Sequence, residues 1–265
     1  MPHKIPLQKK PNFTKAFLLA PFSKRYMAQL ALKYEPTVIQ MLVRDVIQTR
    51  DNRLVYIKNA KAGCSTVAEI LYYYDHGKPY RGENIHRETK TLQQGIQYAD
   101  RAVAAIKDPT KFKFSVVRHP QGRVVSAFKN FVLQSNNRSA PRVLHRLKNF
   151  GYQASLSNSQ KFDVFIDFVT ESFRLSLERT DPHFRLQKLN IGVGLIEHDK
   201  VIRLENLQTE LESALKQAGV WHDNLIRAIN LKRNASASQF EFTPNRGQVK
   251  RLEELYAPDY DAFGY

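Results

Sequence analysis

Leu54–Thr66 reads LVYIKNAKAGCST, and this stretch decides the fold. Leu54–Lys58 is a short apolar run rich in β-branched and aromatic residues, the pattern of a strand buried on both faces in a parallel sheet. Gly63 permits a tight backbone turn. Ser65 and Thr66 are placed to cap a following helix, whose apolar spacing runs from Ser65 to Tyr74. A helix N-terminus with a lysine beside it, here Lys61, makes an anion site without further parts. The spacing GxxxxGK followed by Ser or Thr is missing, and no aspartate ends a later strand to hold magnesium, so a nucleoside-triphosphatase loop is not supported.

Working outward, Phe112–Phe128 reads FKFSVVRHPQGRVVSAF and repeats the logic. Phe112–Val117 predicts a second buried strand, Pro120 stops strand pairing, and helical spacing runs from Arg123 to Leu133. Arg118 then stands at the carboxyl end of the sheet, where α/β proteins bind ligands. Ser126 lies two turns into the helix, and an arginine with a hydroxyl can grip one phosphate, with Arg123 adding charge. Two such units side by side would hold a nucleotide carrying phosphate at both ends. Cys64 sits in the first turn, where a helix N-terminus can activate a thiol; no histidine lies in the motif to assist it, so backbone contact is the preferred role.

Further helices are expected over Phe162–Phe173 and Leu207–Ala218, and from Pro244 to about Tyr256. Val193–Ile196 and Val201–Leu204 are candidate strands, and Ser155–Gln160 reads as a loop. The alternation of strand and helix predicts an α/β layer fold with a parallel sheet. In Thr37–Ile47, apolar residues at Val38, Ile39, Leu42, Val43, Val46 and Ile47 form a helical stripe. That stripe belongs to a basic N-terminal extension, residues 1–50, partly helical, with the main domain at 51–265. The extension holds nine Lys or Arg against Glu35 and Asp45. It is read as packing on the core through its stripe, or as an arm touching membrane headgroups or an acidic substrate.

The whole chain of 265 residues carries 41 Lys and Arg against 25 Asp and Glu, a net charge of +16, which favours polyanionic partners. A single cysteine excludes intramolecular disulfides and thiol metal clusters, and points to a reducing compartment. With no signal peptide and no apolar run of membrane-spanning length, the expectation is a cytoplasmic protein, with peripheral contact at the inner membrane left to the basic arm.

The two motifs resemble those of the sulfotransferases that use 3′-phosphoadenosine 5′-phosphosulfate (PAPS), and most closely the carbohydrate-sulfotransferase family with its heparan and chondroitin-type members. Ala60–Val67 (AKAGCSTV) is similar to that family's first motif, and Val117–Phe128 to its VRHPxxRxVSAF motif. Asp181–Gln187 (DPHFRLQ), Arg203–Leu207 (RLENL) and the ending from Tyr256 to Tyr265 resemble three further family segments. Ala60 stands where proline is usual, Val67 where an aromatic residue is usual, and Leu186 where proline is common. Golgi relatives carry a membrane anchor; none is expected here, in keeping with a soluble enzyme of bacterial type.

The resemblance implies a P-loop-like three-layer fold, a central parallel sheet flanked by helices, and transfer of a sulfonate from PAPS to a hydroxyl of a carbohydrate or glycolipid acceptor without a metal. It implies that backbone groups of Ala62, Gly63, Cys64, Ser65 and Thr66 hold the 5′-phosphate, with Lys61 on the leaving oxygen, and that Arg118 and Ser126 hold the 3′-phosphate. Arg233 and Ser236 fall in a stretch similar to one near the nucleotide. For the base, His86 is preferred over His183, with Glu83 or Glu88 orienting it; His119 is read as structural. Trp221 and Tyr72–Tyr74 are read as core before sugar-stacking groups. The rival readings are a metal-dependent P-loop nucleotide kinase, a non-catalytic basic module for nucleotide or nucleic acid, and a sulfotransferase that binds without turnover. Nucleic acid is disfavoured because the charge beyond residue 50 is scattered. The acceptor and the oligomeric state stay open.

Overall fold

The computed structural model describes residues 7–87, 90, 92–134, 140–225 and 241–265. Among the described residues four strands form one sheet in the order β1 (Val46–Gln48), β2 (Leu54–Ile57), β3 (Phe112–Val117) and β4 (Lys200–Arg203). The α-helices lying wholly within the described residues are α1 (Phe13–Leu19), α2 (Lys24–Leu30), α3 (Thr37–Leu42), α4 (Cys64–His76), α5 (Ala99–Lys107), α6 (Pro120–Phe128), α7 (Ala140–Leu147), α8 (Asn158–Ser176), α9 (Gln187–Asn190), α10 (Leu207–Gln217) and α11 (Arg246–Phe263). The chain divides into two compact units: Lys9–Val117 with Leu189–Ala235, and Met1–Gln8, Arg118–Lys188 with Ser236–Tyr265.

The first unit holds the sheet. β2 and β3 run parallel with Tyr56 opposite Phe114, and β3 and β4 run parallel with Val116 opposite Ile202. Alternate residues face opposite sides of a strand. Leu54, Tyr56, Phe114, Val116 and Ile202 therefore share one face, which packs against Val67, Ile70 and Leu71 of α4 and Leu211, Ala214 and Leu215 of α10. Val55, Ile57, Ser115 and Val117, on the other face, are buried too. Burial on both faces is why these runs are mostly apolar, with Lys113 and Ser115 the buried polar exceptions in β3. The α/β expectation with a mostly parallel central sheet holds.

The structure corrects four local expectations. The stripe over Thr37–Ile47 is α-helical to Leu42 and 3₁₀-helical over Val43–Asp45; Val46 and Ile47 belong to β1, which pairs antiparallel with β2. β-Branched residues suit that strand, and their helical spacing was coincidental. Val193–Ile196 is a turn, because Gly192 and Gly194 take φ of +68° and +81°. α11 starts after the Asn245 cap and runs through Pro258 to Phe263. Part of Ser155–Gln160 is helix: Ser157 caps α8 in a capping box with Gln160.

The second unit packs α6, α7, α8 and α11 around phenylalanines. Phe128 meets Phe162 edge-on at 4.8 Å, and Phe184 lies 5.6 Å from Phe168 and 5.8 Å from Phe165. α6 passes at its end into a π-helical turn over Lys129–Leu133.

Candidate anion site and motif residues

The chain leaves β2 through Lys58, whose largely buried ammonium pairs with Asp45 at 3.3 Å and donates to Gln94 Oε1 at 2.8 Å. Gln94 Nε2 donates to the Ile85 carbonyl at 3.1 Å, which ties the strand end to the segment carrying His86. Asn59, wholly buried, donates to the Val116 carbonyl at 3.0 Å and accepts from Asn190 Nδ2 at 2.9 Å. The sequence reading missed all of these. A lysine at a strand end reads as surface, and only the fold brings Asp45 and Gln94 to it.

The backbone then enters the left-handed region twice, at Lys61 (φ 66°) and Gly63 (φ 72°). That conformation costs an ordinary L-residue roughly 1–2 kcal/mol, so the surroundings must impose it on Lys61. Such turns aim successive N–H groups toward one point. Ala62 is fully buried and so offers only its backbone to a ligand. Gly63 itself occupies the cap position of α4 and supplies no side-chain cap. This corrects the expectation that Ser65 and Thr66 cap the helix: the positive φ of Gly63 starts it one residue earlier, leaving both in the first turn, where backbone N–H groups lack intrahelical partners. A Cβ there would sit 2.6 Å from Leu204 Cδ1, so that side chain would have to shift to admit one.

His86 lies in the short 3₁₀ turn Ile85–Arg87, with Nε2 2.9 Å from Ser65 Oγ and 3.8 Å from Cys64 Sγ. Its backbone N–H donates to Asn84 Oδ1 at 2.9 Å. Glu88 lies outside the described residues. Burial pushes the Cys64 thiol up, against the pull of Lys58 and Lys61, so this cysteine is held protonated. Lys61, Ser65 and His86 thus gather at the start of α4.

In the other unit, Arg118 follows directly on β3. Gln187 pins its backbone on both sides, accepting from the Arg118 N–H at 3.0 Å and donating to its carbonyl at 2.7 Å. Gln187 and Lys188 in turn donate their backbone N–H groups to the buried Asp259 carboxylate at 2.8 and 3.0 Å. Burial raises the pKa of Asp259, and those two N–H bonds and the Arg123 charge offset part of the rise. The Arg118 guanidinium lies over the start of α6, with Nε 3.5 Å from where a Cβ on Gly122 would stand. Ser126 is half-buried on α6.

Arg123 is fully buried and donates to the Arg185 and Pro182 carbonyls at 2.7 and 2.5 Å. The suggestion that it adds charge to a phosphate is therefore corrected: its guanidinium ties the DPHF segment to α6. His183 Nδ1 lies 2.7 Å from Asp181 Oδ1, and its ring stands edge-on to Phe131. Burial raises the Asp181 pKa, but hydrogen bonds from the His183 side chain and backbone outweigh it and hold the carboxyl low. His119 packs against Tyr260 and Tyr265. Trp221 and Tyr72–Tyr74 pack against the sheet's core. Arg233 and Ser236 lie outside the described residues. Among the described residues, no three His, Cys, Asp or Glu side chains are grouped as a metal ion would need, and no helix is long and apolar enough to cross a membrane.

A central, mostly parallel sheet flanked by helices, with a left-handed lysine turn between β2 and α4, defines an α/β protein. The model described as the sulfotransferase family matches residues 44–265, most of the chain. The chain belongs to that family, and its activity class is sulfonyl transfer. Neither the curated proteins nor the solved structures gave a match.

Proposed function

We propose that the protein transfers a sulfonate from PAPS to a hydroxyl group of a carbohydrate or glycoconjugate. One observation carries the reading: a left-handed turn at Lys61 and Gly63 leads into α4, in whose first turn Ser65 Oγ lies 2.9 Å from His86 Nε2. The donor, when bound, supplies an activated sulfonate whose leaving group is a phosphate. Backbone N–H groups of Gly63–Thr66 and the hydroxyls of Ser65 and Thr66 take that phosphate. Lys61 neutralises charge as it builds on the leaving oxygen. Arg118 and Ser126 take the 3′-phosphate, with Gln187 fixing the Arg118 backbone. His86 accepts the acceptor's hydroxyl proton as oxygen attacks sulfur and the sulfur–phosphate oxygen bond breaks. A carbohydrate acceptor rests on the motif resemblance and on the basic surface, which suits an acidic glycan.

The test is thermal stabilisation by adenosine 3′,5′-bisphosphate compared with ATP and magnesium. Saturating bisphosphate should stabilise by about 3–4 kcal/mol at 100 to 1,000 times its dissociation constant. A shift with ATP and magnesium alone would replace the reading with a nucleotide kinase. Radiolabelled donor with a panel of glycans then identifies the acceptor. Single-turnover rates of His86→Ala and His183→Ala separate the two candidate bases: unchanged chemistry in His86→Ala removes it from the role.

A further inference from the structure

α1, the 3₁₀ turn Ala20–Phe22 and α2 turn several of their largest apolar residues to solvent. The residues buried over 13–34 are Ala16, Ala20, Ala28 and Leu32, three of them alanine. The positions turned to solvent are large: Phe17 is 73 % exposed, Leu18 65 %, Phe22 86 % and Met27 59 %, followed by Tyr34 at 88 %. These are five of the nine large hydrophobic side chains exposed among the described residues, concentrated within residues 17–34. A water-facing helix normally reverses this order.

The charge around the patch has one sign. Described residues 7–34 contain Lys9, Lys10, Lys15, Lys24, Arg25 and Lys33 and no Asp or Glu; all six are exposed. The Lys15 ammonium lies over the Tyr26 ring at 5.9 Å and the Lys33 ammonium over the Tyr34 ring at 5.1 Å, so cation and aromatic face sit together at this surface. Large exposed aromatics ringed by lysine, with no acidic side chain to repel a negative surface, suit the boundary between anionic headgroups and acyl chains. We propose that residues 13–34 dock the protein on the surface of an anionic lipid bilayer, with Phe17, Leu18 and Phe22 inserted and Lys15, Lys24, Arg25 and Lys33 on the headgroups. The arrangement is independent of the donor reading, and it would hold a sulfotransferase beside an acceptor presented at a membrane.

Sedimentation of the full chain with phosphatidylcholine vesicles, with and without phosphatidylglycerol, tests this. Binding is expected only with the anionic lipid and should fall as salt rises. Phe17→Ser with Phe22→Ser should weaken it by roughly tenfold or more while leaving the melting temperature unchanged, since both side chains already face water. Lys24→Glu with Arg25→Glu should weaken it similarly. Failure of the wild-type chain to sediment with anionic vesicles overturns the proposal. So does undiminished binding by the phenylalanine variant, which would reduce the effect to general basic charge. A wild-type dimer that the phenylalanine variant converts to a monomer would assign the patch to a second copy instead.

Discussion

Replacing Gly63 by alanine perturbs the strand–turn–helix at its tightest point. Alanine would have to hold φ near +72°, which costs roughly 1–2 kcal/mol. Its Cβ would also stand 2.6 Å from Leu204 Cδ1 and 3.9 Å from Leu207 Cδ2. Because Cδ1 is the tip of a half-buried side chain it can rotate away, so the overpacking falls at the low end, about 1 kcal/mol. The sum is about 2–3 kcal/mol, or a fall of roughly 5–10 °C in Tm for a chain of this size. Circular-dichroism melts of wild type, Gly63→Ala, Leu204→Ala and the double variant would separate the parts. The double variant should recover about 1 kcal/mol of coupling, because the clash disappears and the backbone strain stays. Nucleotide binding should weaken in both Gly63 variants, since the first-turn amides move. A Gly63→Ala protein melting within about one degree of wild type, or additive melts in the cycle, would refute the reasoning.

The left-handed Lys61 gives a second, opposed pair of outcomes. Lys61→Ala and Lys61→Gly should both lose turnover with the ammonium, but Lys61→Gly should melt higher, by about 1 kcal/mol, because glycine accepts φ of 66° without strain. Asp75 carries a pH signature: burial lifts its carboxyl from 3.8 to about 6, against the Arg50 N–H that it accepts at 3.0 Å. A raised carboxyl favours folding below pH 3.8 and loses that contribution as pH rises to about 6. Asp75→Asn should therefore flatten this limb in denaturant titrations and gain about 1 kcal/mol at pH 8, after allowance for its partial exposure. Asp259→Ala strands two buried N–H groups of the segment that pins Arg118. It should cost about 2–4 kcal/mol and weaken adenosine 3′,5′-bisphosphate binding, read by calorimetry. Unchanged binding in a folded Asp259→Ala protein would sever Gln187 from the Arg118 role.

The elements that carry the motifs were legible because burial on both faces leaves a short run rich in apolar, β-branched and aromatic residues. That is how Leu54–Ile57 and Phe112–Val117 declare themselves, and α4, α8 and α10 show the complementary helical spacing. β1 was not legible: Val38 to Ile47 gives the same stripe whether its end is helix or strand, and only pairing with β2 decides. The reach of α11 past Pro258 was hidden too, since proline usually ends a helix and long-range packing holds this one together. At the anion turn, Lys61 could be named from its neighbours, but its left-handed backbone could not. Arg123 misled because a guanidinium beside a phosphate motif looks like a ligand, whereas its partners are carbonyls some sixty residues away in sequence. Lys58, Gln94, Gln187 and Asp259 act through contacts between distant segments, which no local pattern announces.

The sheet's outer strands bear on how the protein behaves when concentrated. β1 is three residues long and buried throughout, and β4 is four residues bounded by Lys200 and Arg203. A neighbour seeking to extend the ladder meets a covered rim on one side and positive charge on the other. Lengthening β4, or replacing its two cations with apolar residues, would open a path to fibrillar assembly that the natural termini of the strand keep closed.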